Sequence, residues 1–198
     1  MVPKLWPGET VVCMATGPSL TPEDVASVHG AARVIVVNDA YRLAPWADCL
    51  YAADGKWWRW HHGVPDFAGM KYSVQQQASQ DAHKPGVVVL RNAGKRGLSL
   101  DPSSLSTGHN SGYQAINLAV HFGARRVLLL GYDMRGGHFF GDHPDNTKPP
   151  FALAIPAFSS LVSPLKAIGV DVINCTPNSA LKCFPKVPIA DAIAAVAA

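Results

Sequence analysis

Charged residues are scarce in this sequence: Asp, Glu, Lys and Arg make up 16% of its 198 residues, against 48% for hydrophobic residues. It has no basic tract and a formal net charge of only +3, which argues against a nucleic-acid partner. It also lacks an apolar run near the ~18 residues of a membrane span, and residues 1–7 hold no apolar leader. We therefore expect a compact cytoplasmic protein with a sizeable core and no membrane contact, while a homo-oligomer stays open.

Familiar cysteine and nucleotide motifs are missing as well. The four cysteines are widely spaced without a C-x-x-C pair, which argues against a zinc site. Cys13, Cys49 and Cys175 lie in or beside apolar runs, so we expect buried free thiols. The chain has neither the G-x-G-x-x-G fingerprint nor a P-loop with its lysine, so any nucleotide site must be built differently.

Apolar runs alternate with helix-like segments along the chain. Strands are predicted at residues 10–15, 33–37, 49–53, 70–74, 87–90, 126–130 and 170–174. Helices are predicted from residue 21, near 56–62, over about 111–122, over 150–168 and over 190–198. Pro156 and Pro164 should break or kink the fourth helix. This alternation predicts one domain over residues 1–198, an α/β fold with a doubly wound, mostly parallel, Rossmann-like sheet.

Three stretches are less regular. Gln75-Gln76-Gln77 is typical of an exposed loop, and residues 91–107 form a long loop without periodicity, which usually has a function or moves. In the aromatic segment 56–62, Trp57 and Trp60 should cover the sheet, whereas Trp58 could face a substrate. Core packing is the favoured interpretation of these rings.

A glycine turn follows the first predicted strand, as Gly17-Pro18-Ser19-Leu20. A helix then begins at Thr21, with Pro22 in its first turn and Asp24 completing a capping box. Gly17 would let the backbone approach a ligand and Ser19 would add a hydroxyl. A plain strand-to-helix turn is the alternative.

A second polar turn, Gly108-His109-Asn110-Ser111-Gly112, precedes the helix with apolar residues at 115, 118, 119 and 122. Free N–H groups, the positive end of the helix dipole, the Ser111 hydroxyl and the Asn110 amide suit an anion. A simple helix cap explains the same residues equally well.

Polar residues also end the predicted strands. Asn38, Asp54 and Asp133 follow three of them, and Ser19 follows the first. The carboxyl ends of parallel strands meet at one edge of a sheet, where open α/β sheets bind ligands. Four polar strand ends therefore predict a site at that edge.

The loop after Asp133 contains His138 and His143, with Asp142 and Asp145 beside the second histidine. A histidine oriented by an aspartate can act as a general base. Phosphate contact, a divalent cation and a structural role remain as alternatives, although H-x-x-x-x-H has no ligand geometry of its own.

The glycine turn and the segment from Asn110-Ser111-Gly112 to Gly131-Tyr132-Asp133 together resemble the bacterial family 42 sialyltransferases. The same pattern is similar to archaeal 6-hydroxymethylpterin diphosphokinases, and the length resembles short single-domain members carried by phages. The resemblance implies that the nucleotide, of CMP type, contacts Gly17, Ser19, Asn38, Ser111 and Gly112. It also implies that His138 or His143 is the base. The family's tyrosines beside the departing phosphate have one near candidate, Tyr113, and its acceptor-lid insertion is missing.

We therefore predict a nucleotide-dependent transferase, most simply a glycosyltransferase that takes a CMP-type sugar donor and an unidentified acceptor. The candidate nucleotide-binding residues are Gly17, Pro18, Ser19, Asn38, Asp54, Gly108, Asn110, Ser111 and Gly112. The candidate catalytic residues are His138, His143 and Asp133, and no metal ligand is predicted. One alternative is a Mg²⁺-dependent pyrophosphokinase acting on a hydroxymethyl compound, with carboxylates from Asp54, Asp133, Asp142 and Asp145. The other is a non-catalytic module that sequesters a nucleotide.

Overall fold

A computed structural model describes residues 1–75 and 86–197 and contains one eight-stranded sheet. The strands are β1 (Thr10–Met14), β2 (Arg33–Val37), β3 (Cys49–Tyr51), β4 (Met70–Val74), β5 (Val87–Asn92), β6 (Ser104–Leu105), β7 (Arg126–Leu130) and β8 (Asp171–Asn174). Their order in the sheet is β6-β5-β4-β3-β2-β1-β7-β8, and every neighbouring pair is parallel. Gln76 and Gln77 of the predicted loop lie outside the described residues.

Helices cover both faces of this sheet. They are α1 (Pro22–Val28), α2 (Gly55–Trp60), α3 (Ser111–Phe122), α4 (Phe151–Ala167) and α5 (Ile189–Ala197), with a short 3₁₀ helix at Asn38–Arg42. The buried residues of α3 and α4 share one core cluster, and those of α1, α2 and α5 share the other. The predicted α/β, Rossmann-like fold is confirmed. Within the described residues, no helix is both long and apolar enough to cross a bilayer.

After their polar first residue, β1, β2 and β7 are apolar because both of their faces are buried. In β1, Val11 and Cys13 point into the α3/α4 core, while Val12 and Met14 point into the opposite core. A period of two that alternates between two cores leaves no polar position beyond the first residue of the strand. Cys13, like Cys49 and Cys175, is a buried free thiol, as the sequence predicts.

The chain reverses its direction of winding at β1. From β1 it passes through α1 to β2 on one side, whereas α3 leads to β7 on the other side. The register Thr10↔Arg126 joins β1 to a strand that is distant in the sequence. Such a reversal opens a crevice between the strand ends, which is where doubly wound sheets bind ligands.

The structure corrects two predictions about the elements. The long loop predicted at residues 91–107 contains β6, whose Leu105 is completely buried in the core. Helix α4 continues through Pro156 and Pro164, so the predicted break is wrong. The buried side chains of its core-facing stripe, at positions 154, 157, 158, 161 and 165, hold it in place. Pro156 lies on the exposed face, where water can satisfy the carbonyl that lost its partner.

Candidate functional site

A pocket opens over the carboxyl ends of β1, β2, β3 and β7, at the reversal beside β1. Its floor comes from the residues after these strands, and its walls come from the start of α3 and from residues 134–151. Candidate residues that line it are Gly17, Asn38, Asp54, Asn110, Ser111, Gly112, His138 and His143. Pro18, Ser19, Gly108 and Asp133 are not among its lining residues. The sequence patterns therefore converge on one place.

The glycine turn is held against the end of β7. Gly17 donates its N–H to Gly131 O at 2.9 Å, and Ser19 donates its hydroxyl to Asp133 Oδ2 at 2.9 Å. A β-carbon on Gly17 would lie 2.0 Å from Asp133 Oδ2 and 2.4 Å from Gly131 O. Contacts inside the protein thus require glycine at position 17. The hydrogen bond between Ser19 and Asp133, a residue that is 4% exposed, fixes the turn.

The start of α3 forms a capped helix end that faces the pocket. Asn110 Oδ1 accepts hydrogen bonds from Gly112 N at 2.8 Å and from Tyr113 N at 3.2 Å. The cap does not use the N–H of Ser111. Gly108 has φ +52°, and a β-carbon there would lie 2.2 Å from the Tyr113 ring. Asn110 and Gly108 therefore shape the turn, and the N–H of Ser111 is left without a capping partner at the helix start.

Left-handed backbone is concentrated in the pocket. Three lining residues other than glycine have positive φ: Asn38 at 50°, His109 at 56° and Met134 at 53°. Such conformations cost about 1–3 kcal/mol for residues with a β-carbon and are typical of functional sites. Asn38 follows β2, His109 precedes α3 and Met134 follows β7, so these conformations lie where elements begin and end around the pocket.

His138 is held by the end of β1 and points an unpaired nitrogen inward. Its Nδ1 lies 2.8 Å from Thr16 Oγ1, and the next residue, Phe139, donates its N–H to Thr16 O at 3.0 Å. In residues 1–75 and 86–197, its buried Nε2 has no hydrogen-bond partner. Burial, followed by the charge of His143, lowers the pKa of His138 below the usual histidine value. A neutral ring with Nδ1–H donating to Thr16 leaves the Nε2 lone pair free.

His143 occupies a looser position. Its ring centroid lies 4.9 Å from that of His138 and 6.0 Å from that of Trp60. Neither contact fixes a ring nitrogen by a hydrogen bond. Of the two histidines, His138 is therefore the one with a defined orientation.

Exposed ion pairs hold the remaining part of the wall made by residues 134–151. Lys56 pairs with Asp145 and also donates to Thr147 Oγ1 at 3.0 Å, and Lys148 Nζ lies 2.5 Å from Asp142 Oδ1. Hydrogen bonds from these lysines lower the pKa of both carboxyl groups. Asp142 and Asp145 are thus committed to lysines, as Asp133 is to Ser19.

Core packing, the favoured interpretation of the aromatic segment, is confirmed for Trp57 and Trp58, and the option that Trp58 faces a substrate is wrong. Trp57 and Trp60 line the pocket, whereas Trp58 is completely buried and donates its Nε1–H to Ala52 O at 3.0 Å. Trp57 also donates to Asp39 Oδ2 at 2.8 Å. Trp58 is therefore a core residue, and the rings that can face a ligand belong to Trp57 and Trp60.

Tyr113 does not reach the pocket. Its ring is fully buried, and its hydroxyl donates to Gly97 O at 2.7 Å. The tyrosine that the sequence interpretation named as the near candidate is thus a structural residue. Side chains that the sequence interpretation did not single out line the pocket instead: Thr16, His109, Arg135 and Lys148. All flank a strand end or a helix start, and that position is the signal that could have identified them.

No cluster fit for a metal is found in the described part of the chain. Groups of three or more His, Cys, Asp or Glu side chains placed to hold an ion are absent there. Asp133, Asp142 and Asp145 are engaged by Ser19, Lys148 and Lys56. Three of the four carboxylates named for the Mg²⁺-dependent alternative are therefore already paired within the protein, and the fourth, Asp54, lines the pocket.

Comparison with known proteins supports the fold. No family model matches the chain, and no curated protein matches it in sequence. Among solved structures, the chain is similar to the sialyltransferase CstII from Campylobacter jejuni, which was solved in complex with a substrate analogue, cytidine-5'-monophosphate. The likeness has a TM-score of 0.54 at 12% identity and covers 91% of this chain and 85% of that one. The architecture is therefore a sialyltransferase-like Rossmann fold.

Proposed function

We propose that this chain is a glycosyltransferase that uses a nucleotide-activated sugar, with a CMP-type donor favoured. The observation that carries the proposal is the buried, unpaired Nε2 of His138 in a pocket at the sheet's reversal point. The solved neighbour is a sialyltransferase crystallised with CMP, which agrees with this proposal.

The nucleotide would lie between the glycine turn and the start of α3. Ser111 and Gly112 would receive the donor phosphate, because the N–H of Ser111, which the cap does not use, and the dipole of a helix start favour negative charge. Gly17, Asn38 and Asp54 would contact the ribose and base along the strand ends. Pro18, Ser19 and Gly108 would support these contacts from behind.

In the transfer step, the acceptor hydroxyl attacks the anomeric carbon of the sugar and the bond to the nucleotide phosphate breaks. His138 Nε2 takes the proton of that hydroxyl, and the phosphate leaves with the bonding electron pair. The burial that lowers the pKa of His138 keeps the ring neutral near pH 7, which a base requires. Asp133 acts at a distance by holding the turn, and His143 is the second candidate base.

A binding panel tests the donor. CMP, UDP, GDP and ATP are each added at about a hundred times the expected dissociation constant, which stabilises a binding protein by about 2.7 kcal/mol. We expect CMP to raise the melting temperature most. Equal shifts for all four, or none, would contradict the proposed donor.

A turnover assay separates the remaining alternatives. CMP-sugar hydrolysis or transfer that persists in EDTA supports the glycosyltransferase. Activity with ATP that disappears in EDTA would favour the pyrophosphokinase instead. Tight CMP binding without turnover towards any acceptor would indicate a nucleotide-sequestering module.

A further inference from the structure

The pocket's cations differ in whether the protein already neutralises them. Lys56 and Lys148 line the pocket and are paired with Asp145 and Asp142. Arg135 lines it too and is exposed, but no ion pair joins it to a carboxylate in residues 1–75 and 86–197. An arginine fork without a carboxylate is ready for an external anion.

Two lysines extend this positive charge away from the pocket. Lys186 Nζ lies 2.8 Å from Ser179 O and 3.3 Å from Pro177 O, and Lys182 Nζ lies 3.5 Å from the same Ser179 oxygen. The two ammonium groups are therefore close together. Over the described ranges, both are held by carbonyl groups, and neither forms an ion pair with a carboxylate.

The segment carrying these lysines is pinned beside the strand end that leads to Arg135. Ala180 donates its N–H to Asp133 O at 2.8 Å, and the Ser179 hydroxyl bonds to Tyr132 O. Burial, then Lys182, then Arg135 lower the pKa of Lys186. The positive charges of Arg135 and Lys182 thus both act on Lys186, so the three side chains belong to one positively charged patch.

We propose that Arg135, Lys182 and Lys186, here the cationic rim, bind a phosphate or carboxylate group carried by the acceptor. This rests on the proposed transferase function. Only Arg135 lines the pocket, so the rim runs outward from the nucleotide site rather than into it. The start of α3 already serves the donor phosphate, which leaves the rim for a second anionic group. Uncompensated like charges beside a pocket also attract anionic ligands over a distance.

The test uses anionic sugars as probes on the full chain. A hexose 6-phosphate and a hexuronate are titrated separately, with and without saturating CMP, while backbone amide shifts of residues 176–187 are followed by NMR. The variant is Lys182→Gln with Lys186→Gln. The matched control is Lys95→Gln with Lys166→Gln, which removes two exposed lysines that do not line the pocket.

We expect the shifts to map to the rim and the affinity for at least one probe to fall about tenfold in the rim variant, as on losing one hydrogen bond to a charged group. The control should bind like the parent. The stronger probe identifies phosphate or carboxylate as the group. Equal affinities in parent and rim variant, or shifts away from residues 176–187, would overturn the proposal.

Nucleotide binding provides a second test of whether the rim binds the acceptor. CDP and CMP are compared on the parent and on the rim variant. If the rim variant loses the extra affinity of CDP, the rim serves the nucleotide and the acceptor assignment is wrong. If no nucleotide binds but a probe still binds at the rim, the proposed function fails while the anion site stands.

Discussion

The two walls of the pocket are held together by different forces. The glycine turn and the start of α3 are fixed by buried hydrogen bonds and by close backbone contacts around Gly17 and Asn110. The opposite wall, residues 134–150, is mostly exposed and is held by ion pairs and ring contacts. Exposed ion pairs contribute little to stability, whereas buried close packing contributes much. The wall made by the glycine turn and the start of α3 should therefore contribute more to stability than the wall made by residues 134–150.

The largest expected effect is on turnover, and it concerns the wall made by residues 134–150. His138→Ala should lower turnover about 10²–10⁴-fold, the usual contribution of a general base, with nucleotide affinity changed only a few-fold. His143→Ala is the matched control and should keep most of the turnover. If the two variants exchange these results, His143 is the base; if both keep full turnover, this wall is not catalytic.

The pH profile sharpens the same comparison. A base works only when it is deprotonated, so the rate should rise with pH and level off once His138 is neutral. Because burial lowers its pKa, the pH at which the rate is half-maximal should lie below the usual histidine pKa. The rate is measured from about pH 5 to pH 8. A half-maximal rate above the usual value would contradict the assignment of the buried ring.

The second effect is on stability, and it concerns the wall made by the glycine turn and the start of α3. Gly17→Ala should lower the free energy of unfolding by about 3 kcal/mol, because its β-carbon would overlap Asp133 Oδ2 and Gly131 O. Gly137→Ala, across the pocket, places its β-carbon in open space and should stay within about 0.5 kcal/mol. Urea unfolding of both variants provides the measurement. Equal stabilities would show that the two walls do not differ in packing.

A smaller effect separates ligand contact from capping within one wall. Ser111→Ala should weaken nucleotide binding by about 1.5 kcal/mol, the low end for a hydrogen bond to a charged group. Asn110→Ala should instead lower stability by about 1 kcal/mol through loss of the cap. Calorimetric titration and thermal melting are run on both. A loss of stability without a loss of affinity in Ser111→Ala would make Ser111 part of the cap only.

The smallest effect comes from the ion pairs. Asp145→Asn frees Lys56 and removes a negative charge from the pocket, so an anionic nucleotide should bind a few-fold more tightly. Stability should hardly change, because the pair is exposed. The gain should fade as salt is raised. A marked loss of melting temperature would show that this wall is held more firmly than its contacts indicate.

The sequence allowed the sheet and the pocket edge to be predicted for a simple reason. Strands buried on both faces are short apolar runs, and the polar residues that stop them, such as Asn38 and Asp54, fall at one edge when the strands are parallel. β6 could not be predicted in this way, because a strand of two residues is too short to show an alternation of apolar and polar residues. α4 was predicted to break or kink at its prolines, because the sequence alone does not show which side of the helix faces solvent.

Roles within the site were harder to predict than its place. Ser19 and Asp133 read individually as ligand contacts, yet they bond to each other across more than a hundred positions of chain. Arg135 and Thr16 look ordinary in sequence. The fold shows that Arg135 has no carboxylate partner among the described residues and that Thr16 holds His138. Pairing between distant residues leaves no local pattern.

During synthesis on a ribosome, β1 emerges long before β7, its neighbour in the sheet. One edge of β1 can pair with β2 at once, since only α1 separates them in the chain. The other edge must wait as unpaired backbone until α3 and β7 have been made, and such an edge invites pairing with other chains. The pocket over the ends of β1 and β7 therefore forms late in synthesis, and the exposed edge of β1 is open to misassembly during that interval.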